Sequence, residues 1–413
     1  MKKPEILAPA GNMTSLQAAL DAGADAVYLG LEAFNMRARA ADNFSREDLP
    51  EAARRCRDRG VKLYLTLNSI VFEGELQAVR ELLHFAKPHI DAAIVSDWGV
   101  ISACKEIGVP FHVSTQMSCS NSAAASFLRS QGASRIVLAR ECTLEEVAEI
   151  ASKCSVEIEV FVHGAQCVAE SGRCLLSHDA YGCSANRGEC HQPCRRRFLI
   201  TAIDRFTDKD GNPLHDADAA FELTPHTVLS AKDLCSLPFL DRLMAAGIAS
   251  FKIEGRARTP EYVATVVRAY RTAVDAVADG SYTPELAARL TEQVKRVFHR
   301  DFSSGLFFGR PGTEQFTDKE DSSATTVKRH VGVVMDYYTK AGIVQVKIQD
   351  HPIRVGDTLQ IQGRTTGVCE FAVTSLRRDD EVPSIAEKGT WVTFPAPRCR
   401  VGDKVFFVEN TTQ

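Results

Sequence analysis

Eight short, continuously apolar runs recur between residues 5 and 256, and stretches with helical periodicity lie between them. Continuous apolar strands that alternate with amphipathic helices indicate parallel strands covered by helices on the outside. Eight such units within about 270 residues fit a TIM barrel better than an open sheet. The runs are EILAPAG (5–11), DAVYLG (25–30), KLYLTLN (62–68), AAIVSD (92–97), PFHVSTQ (110–116), RIVLAR (135–140), VEIEVFVHG (156–164) and SFKIEGR (250–256).

Helices are predicted between these strands from the spacing of apolar residues and from residues typical of helix starts. Thr143 is followed three residues later by a glutamate, which is the pattern of a capping box. A long amphipathic pattern after the eighth strand predicts a helix that closes the ring. The predicted helices cover residues 14–22, 45–57, 143–151, 238–246 and 259–277.

The domain organisation follows from where this alternation is interrupted. About seventy residues separate the seventh strand, which should end near His163, from the next predicted helix, so a Cys-rich insertion is expected over about 164–235. Loops that follow strands build the active site of a TIM barrel, so this insertion should lie over the barrel mouth. The barrel is predicted over 1–300, a linker over 301–327, and a small all-β barrel domain over 328–413.

Composition places the protein among ordinary globular chains. The 413 residues carry a formal net charge of -4, which gives no overall attraction for nucleic acid, so any RNA contact has to be local. The sequence shows no signal peptide and no membrane span, and a cytoplasmic location is expected. In that compartment the thirteen cysteines should be thiols or metal ligands rather than disulfides.

Four of these cysteines lie in one polar loop, with spacings of six, fifteen and three residues between them. Thiolates clustered in such a loop suit an iron–sulfur cluster or zinc, because the metal fixes a segment that no hydrophobic core could hold. The alternative is that they are small apolar core residues, as the scattered cysteines are expected to be. The long spacers favour a 4Fe–4S cluster over zinc. The proposed ligands are Cys167, Cys174, Cys190 and Cys194.

Polar residues at the ends of the predicted strands are candidates for a pocket beneath this loop. The four candidate catalytic residues are Arg140, His163, Glu254 and Arg256, whose charges would suit a small carboxylated co-substrate. Each could instead be a polar residue of the barrel interior or a member of a salt bridge. The wider set of strand-end residues adds Asn68, Gln116, Glu141 and Lys252.

A basic patch next to the last two cysteines is the candidate for RNA contact. It consists of Arg187 and the run Arg195, Arg196 and Arg197. A run of arginines is more often a solvated face, so the position beside the cysteines is its special feature. Another alternative is that these arginines only stabilise the negative charge of a cluster.

The chain contains the motifs APAGNMTSLQAALDAGADAVYLG (8–30), FVHGAQCVAESGRCLLS (161–177), NRGECHQPCRRRF (186–198) and SAKDLCSLPFLDRLMAAGIASFKIEGR (230–256). Together they resemble the collagenase-like peptidase family, family thirty-two among peptidases of unknown catalytic type. The resemblance covers nearly the whole chain. It implies a 4Fe–4S cluster on the four cysteines, and for the RNA hydroxylases of the family a dependence on prephenate. In some relatives a later cysteine replaces the last ligand, which makes Cys235 the reserve, while Cys183 matches no family position.

Within that family the two-domain length is closest to the branch that hydroxylates the wobble uridine of tRNA to 5-hydroxyuridine. The resemblance therefore implies tRNA, through its anticodon loop, as the main partner, with an electron donor or iron–sulfur assembly proteins as further partners. Peptidase activity is the second hypothesis. It ranks lower because the sequence has neither a His-Glu-x-x-His helix nor a Gly-x-Ser-x-Gly elbow. Hydroxylation of a ribosomal cytidine or of a ubiquinone precursor is the further alternative.

Overall fold

The strands of the first 303 residues belong to a single sheet, of which eight parallel strands close into a barrel. The computed structural model describes residues 3–39, 42–198, 229–309, 315–319 and 321–411. Strands β1 to β7 pair in chain order, and β9 pairs with both β7 and β1 to close the ring. The strands are β1 (Glu5–Pro9), β2 (Ala26–Leu29), β3 (Lys62–Leu67), β4 (Ala92–Val95), β5 (Phe111–Val113), β6 (Arg135–Val137), β7 (Glu157–Gly164), β8 (Asp233–Cys235), β9 (Ser250–Ile253) and β10 (Phe302–Ser303).

Every one of the eight predicted runs contains one barrel strand, so the predicted TIM barrel is confirmed. The strands are short and buried, and they bring their following loops to the same end of the barrel. A large apolar core fills the space between the strands and the surrounding helices. A smaller apolar layer inside the ring includes Leu7, Tyr28, Tyr64 and Ile94.

The helices follow the predicted pattern, with boundaries shifted by a few residues. The capping box at Thr143 is present, because its side chain accepts from the Glu146 amide and the Glu146 carboxylate accepts from the Thr143 amide. Ser45 exchanges similar bonds with Asp48, at the start of the second helix. The helices are α1 (Met13–Asp21), α2 (Asp48–Asp58), α3 (Leu76–Ala86), α4 (Trp98–Ile107), α5 (Ser122–Ser130), α6 (Leu144–Lys153), α7 (Leu176–Tyr181), α8 (Leu240–Ala245), α9 (Pro260–Asp279) and α10 (Pro284–Lys295).

The predicted insertion begins with the cysteine-containing loop, continues through residues outside the described ranges, and ends in β8. This strand runs antiparallel to β7, and β10 runs parallel to β8. The segment predicted as a linker therefore starts with a strand of the barrel sheet; part of the rest of that segment lies outside the described residues. In the described chain no helix is long and apolar enough to cross a membrane.

The C-terminal region is all β, as predicted, and forms an antiparallel sheet apart from the barrel. Six strands pair in the order β15-β14-β18-β11-β12-β17, and β13 pairs with β16. The sheet packs against α1 and α9 through β15, and the ion pair between Arg364 and Asp48 spans 2.8 Å. The strands are β11 (Thr326–Tyr338), β12 (Ile343–Ile348), β13 (Ile353–Arg354), β14 (Thr358–Gly363), β15 (Gly367–Ala372), β16 (Ile385–Ala386), β17 (Trp391–Pro395) and β18 (Lys404–Asn410).

Candidate functional site

A cavity of about 150 Å³ lies at the mouth of the barrel, between the strand ends and the cysteine-containing loop. Its floor includes Tyr28, Thr66, Phe161 and Lys252 from four different strands. All four predicted cysteine ligands line it from above. Other predicted residues that line it are Asn68, Gln116, Arg140, Glu254, Arg256 and Arg195.

The four cysteines belong to a loop whose local structure is well defined. Cys174 precedes α7, and its amide donates to the Asn186 side chain at 3.1 Å. Cys194 lies in a 3-10 turn, Pro193–Arg195, and is buried. Gly188 has a positive φ of 88°, and a Cβ built there would lie 2.1 Å from the Asn35 carbonyl oxygen. Glycine is therefore required where this loop contacts the segment after β2.

The thiols are near enough to influence one another. Burial raises the pKa of the Cys194 thiol, and charge on the other three cysteines raises it further, against the effect of Arg195. Within the described residues, no three Cys, His, Asp or Glu side chains converge tightly enough to hold a single metal ion. A four-iron cluster binds each thiolate at a different iron, so its ligands stand farther apart than those of one ion.

Two of the other cysteines that the sequence raised lie outside the cavity. Cys235 is 3% exposed on β8, where burial raises the pKa of its thiol to about 11. Cys183 lies on the outer side of the loop, with its Sγ 3.5 Å from the Arg39 guanidinium. The structure brings neither of them to the lining.

The charged wall of the cavity is formed by Arg37, Arg140, Arg256 and Glu254. Arg37 donates to Glu254 at 3.2 Å, and the pKa of Glu254 is low because its arginine neighbours outweigh burial, which alone would raise it. Arg256 donates to the side chains of Asn35 and Thr66, at 2.8 and 3.0 Å. Burial lowers the pKa of Arg256 to about 10, so the side chain keeps its charge at neutral pH.

Arg140 combines a fixed position with free hydrogen-bonding capacity. Its Nη1 donates to the Ala165 carbonyl at 2.7 Å, and its guanidinium lies 3.9 Å from the centre of the Phe161 ring. The buried Nε has no partner among the described residues. A buried donor without a partner costs free energy, and the remaining contacts of the guanidinium hold it at the cavity lining.

His163, one of the four candidate catalytic residues, does not reach the cavity. It is 1% exposed and packs against α9, where its Nδ1 lies 3.3 Å from the Tyr270 hydroxyl. Burial lowers the pKa of His163 to about 3, so the imidazole is neutral. A register shift between β7 and β9 at Phe161 and His163 breaks the inward-outward alternation of the strand. Glu141 is exposed and also outside the lining.

The four arginines of the predicted RNA patch have different environments. Arg187 forms a paired contact with the Glu75 carboxylate, at 2.6 and 2.9 Å. Arg195 is buried, and its guanidinium donates to the Gln166 and Ala231 carbonyls. Arg196 and Arg197 are exposed. Two of the four therefore hold the loop in place, and the exposed pair faces solvent.

Sequence reasoning missed two residues that follow β2: Arg37, which completes the charged wall, and Asn35, whose side chain accepts a hydrogen bond from Arg256. The pattern that could have identified them is their place in the loop after a barrel strand, where TIM barrels position functional residues. The contact between Arg37 and Glu254 could not be predicted, because the two residues lie 217 positions apart in the sequence.

Comparison with known proteins identifies the family. The sequence model of the family described as "Peptidase family U32" matches residues 11–317, which is more than half of the chain. The chain belongs to peptidase family U32. The resemblance noted from the four sequence motifs is thereby confirmed.

Relatives within the family carry names of different activities. A collagenase of Porphyromonas gingivalis is 39% identical over 415 residues, covering 97% of this chain and 97% of the relative. The tRNA hydroxylation protein P1 of Bacillus subtilis is 34% identical over 366 residues, covering 88% of this chain and 84% of the relative. The 23S rRNA 5-hydroxycytidine C2501 synthase of Escherichia coli is 32% identical over 364 residues, covering 86% of this chain and 52% of the relative.

Proposed function

We propose that the protein is an iron–sulfur enzyme that hydroxylates an unpaired base of RNA, the wobble uridine of a tRNA. The observation that carries the proposal is that four cysteines and several buried cationic side chains line one cavity. The names of the relatives from Bacillus subtilis and Escherichia coli support RNA hydroxylation as the reaction class.

The donor set of the loop fits a 4Fe–4S cluster on Cys167, Cys174, Cys190 and Cys194. Cationic groups compensate the charge of the thiolates. Arg195 favours the charged form of the Cys194 thiol, and Cys190 helps to raise the pKa of Arg37, against the effect of burial. When bound, such a cluster supplies electron transfer or, through an iron with an open position, Lewis-acid activation of an oxygen atom. The residues of this chain bind the reactants beneath it and exclude water.

The cavity size limits what these residues bind. A cavity of about 150 Å³ can enclose a single six-membered ring. A pyrimidine base satisfies this limit when it is turned out of a single-stranded loop, whereas a base inside a helix cannot enter. Prephenate, the proposed co-substrate, also carries one six-membered ring and so meets the same size limit.

The cationic groups provide the binding site for the carboxylates of that co-substrate. Guanidinium groups bind carboxylates through two parallel hydrogen bonds. Arg140 is best placed, because it lines the cavity in a position fixed by the Ala165 carbonyl and the Phe161 ring. Arg256 and Lys252 contribute charge from positions fixed by Asn35 and Glu159.

The deciding experiment is mass spectrometry of nucleosides from tRNA and ribosomal RNA, comparing a strain that lacks this gene with its parent. Loss of 5-hydroxyuridine derivatives from tRNA, restored by the wild-type gene, is the expected result. Loss of a hydroxycytidine from ribosomal RNA would instead identify ribosomal RNA as the substrate and contradict the assignment to tRNA. Unchanged RNA in both fractions would contradict the proposal and leave quinone chemistry or proteolysis.

Peptidase activity is the second candidate, because the relative from Porphyromonas gingivalis named collagenase is 39% identical over nearly the whole chain. Purified, metal-replete protein incubated with gelatin tests it directly. Cleavage that is lost in Arg140→Ala but kept in Cys190→Ser would favour proteolysis, since it would use the cavity without the cysteine ligands. Absence of cleavage together with loss of a modified nucleoside would favour hydroxylation.

A further inference from the structure

An exposed aromatic and cationic surface lies on the outer side of the cysteine-containing loop. Tyr181, the last residue of α7, is 39% exposed. Its ring centre lies 4.9 Å from that of His191, with 42° between the ring planes. The Arg196 guanidinium lies 5.4 Å from the centre of the same tyrosine ring. We call these three residues the Tyr181 platform.

The Tyr181 platform is fixed to the same loop that carries the cysteines. Helix α7 begins at Leu176, which lines the cavity, and ends at Tyr181. The His191 amide donates to the Ser177 hydroxyl of this helix at 3.1 Å, so the two rings are held by one short segment. A nucleotide on the platform would therefore be a close neighbour of a group inside the cavity.

The charge around the Tyr181 platform favours an anionic partner. The Arg39 guanidinium contacts Cys183, two residues beyond the tyrosine, and is 62% exposed. Arg196 and Arg197 are also exposed. Glu189 lies 3.8 Å from Arg39 and offsets part of this charge. Asp179 on α7 is exposed as well. Arg39 and Arg196 nevertheless place guanidinium groups at the surface beside the exposed ring, which suits the phosphates of a single strand.

A second exposed aromatic pair on the barrel lacks this combination. The rings of Trp98 and Phe127 lie 6.1 Å apart and are 52% and 55% exposed. Among the described residues no arginine or lysine lies over either ring. This pair therefore offers a matched control for the effect of an exposed aromatic side chain alone.

We propose that the Tyr181 platform stacks an unpaired base of the RNA strand next to the base that enters the cavity. The inference rests on the proposed function and adds the surface that positions the substrate. Aromatic faces accept any base, because every base has a π face, and the adjacent guanidinium binds the backbone phosphate. Tyr181 is thus a binding residue, and it does not touch the reacting atoms.

The test measures dissociation constants of full-length, metal-replete protein for an RNA hairpin with a single-stranded loop, by fluorescence anisotropy at fixed salt. Tyr181→Ala should weaken binding at least about fivefold, whereas Tyr181→Phe keeps the ring and should stay within about twofold. Arg196→Gln should reduce the salt dependence by about one phosphate contact. Phe127→Ala should bind like the wild type. Iron content shows that each variant carries its cluster.

The outcomes separate this inference from the proposed function. Wild-type protein that hydroxylates RNA while Tyr181→Ala binds equally well would overturn the platform and leave the function intact. Equal losses in Tyr181→Ala and Phe127→Ala would also overturn it. Wild-type protein that neither binds nor hydroxylates RNA would overturn both. Loss of gelatin binding in Tyr181→Ala with unchanged RNA binding would assign the surface to a protein partner instead.

Discussion

Inside the barrel, the Lys252 ammonium lies 3.0 Å from the Glu159 carboxylate, and both residues are buried. Arg135 contacts the same carboxylate at 3.2 Å. The pair is held below the cavity, with the lysine 4.8 Å from the Tyr28 ring centre. Lys252 can therefore present positive charge to the cavity floor only because Glu159 neutralises part of it.

Glu159→Gln should destabilise the fold by about 3–5 kcal/mol, because it leaves a buried ammonium and a guanidinium without their shared carboxylate. Chemical denaturation monitored by circular dichroism measures the change. The matched control is Glu157→Gln, which removes a carboxylate that binds the same Arg135 but is 48% exposed. It should cost under about 1 kcal/mol, and equal losses would contradict the role of burial.

His163 should make stability fall with decreasing pH. The unfolded imidazole takes up a proton near its usual pKa of about 6.5, whereas burial holds the folded pKa near about 3. The contribution is therefore complete above pH 6.5 and is lost between about pH 6.5 and 3, with a slope of up to about 1.4 kcal/mol per pH unit. His163→Gln should reduce that slope. A slope unaffected by His163→Gln would show that this imidazole titrates in the folded protein.

Arg140→Ala should abolish hydroxylation while iron content stays at the wild-type level. The loss should reach on the order of a hundredfold in kcat/KM, because a buried charge-assisted contact to a carboxylate is removed. Arg140→Lys should recover only part of it, since lysine cannot form two parallel hydrogen bonds. Initial rates at varied co-substrate concentration measure both. Arg256→Ala is expected to abolish activity as well; full activity in both alanine variants would remove these arginines from the site.

Cys190→Ser should lose the iron and the brown colour of anaerobically purified protein, because it removes one of four thiolate ligands. Cys183→Ser is the control on the same loop, and it should retain both. Iron analysis and visible absorption measure the outcome. Colourless wild-type protein with stoichiometric zinc, prepared without oxygen, would refute the iron–sulfur assignment.

The barrel and most of its charged wall could be predicted from the sequence, because buried strands and strand-end polar residues follow local patterns. The position of His163 could not, since a register shift between β7 and β9 turns it away from the cavity. Nor could the different environments of Arg187 and Arg195, because their partners are distant along the chain: Glu75 precedes α3, and Gln166 lies at the other end of the cysteine-containing loop. The arginines of a run look alike in the sequence. Only their tertiary contacts show which of them stabilise the loop and which are exposed.

Among the described residues, those that line the cavity end at Arg256, and the C-terminal sheet contributes none of them. The sheet touches the barrel through α1, α9 and ion pairs such as the 2.7 Å contact between Lys328 and Glu261. A change in the sheet therefore leaves the lining of the cavity intact. The two parts can accordingly be varied one at a time, because substitutions on the far strands of the sheet change its own surface while the residues around the cavity keep their contacts.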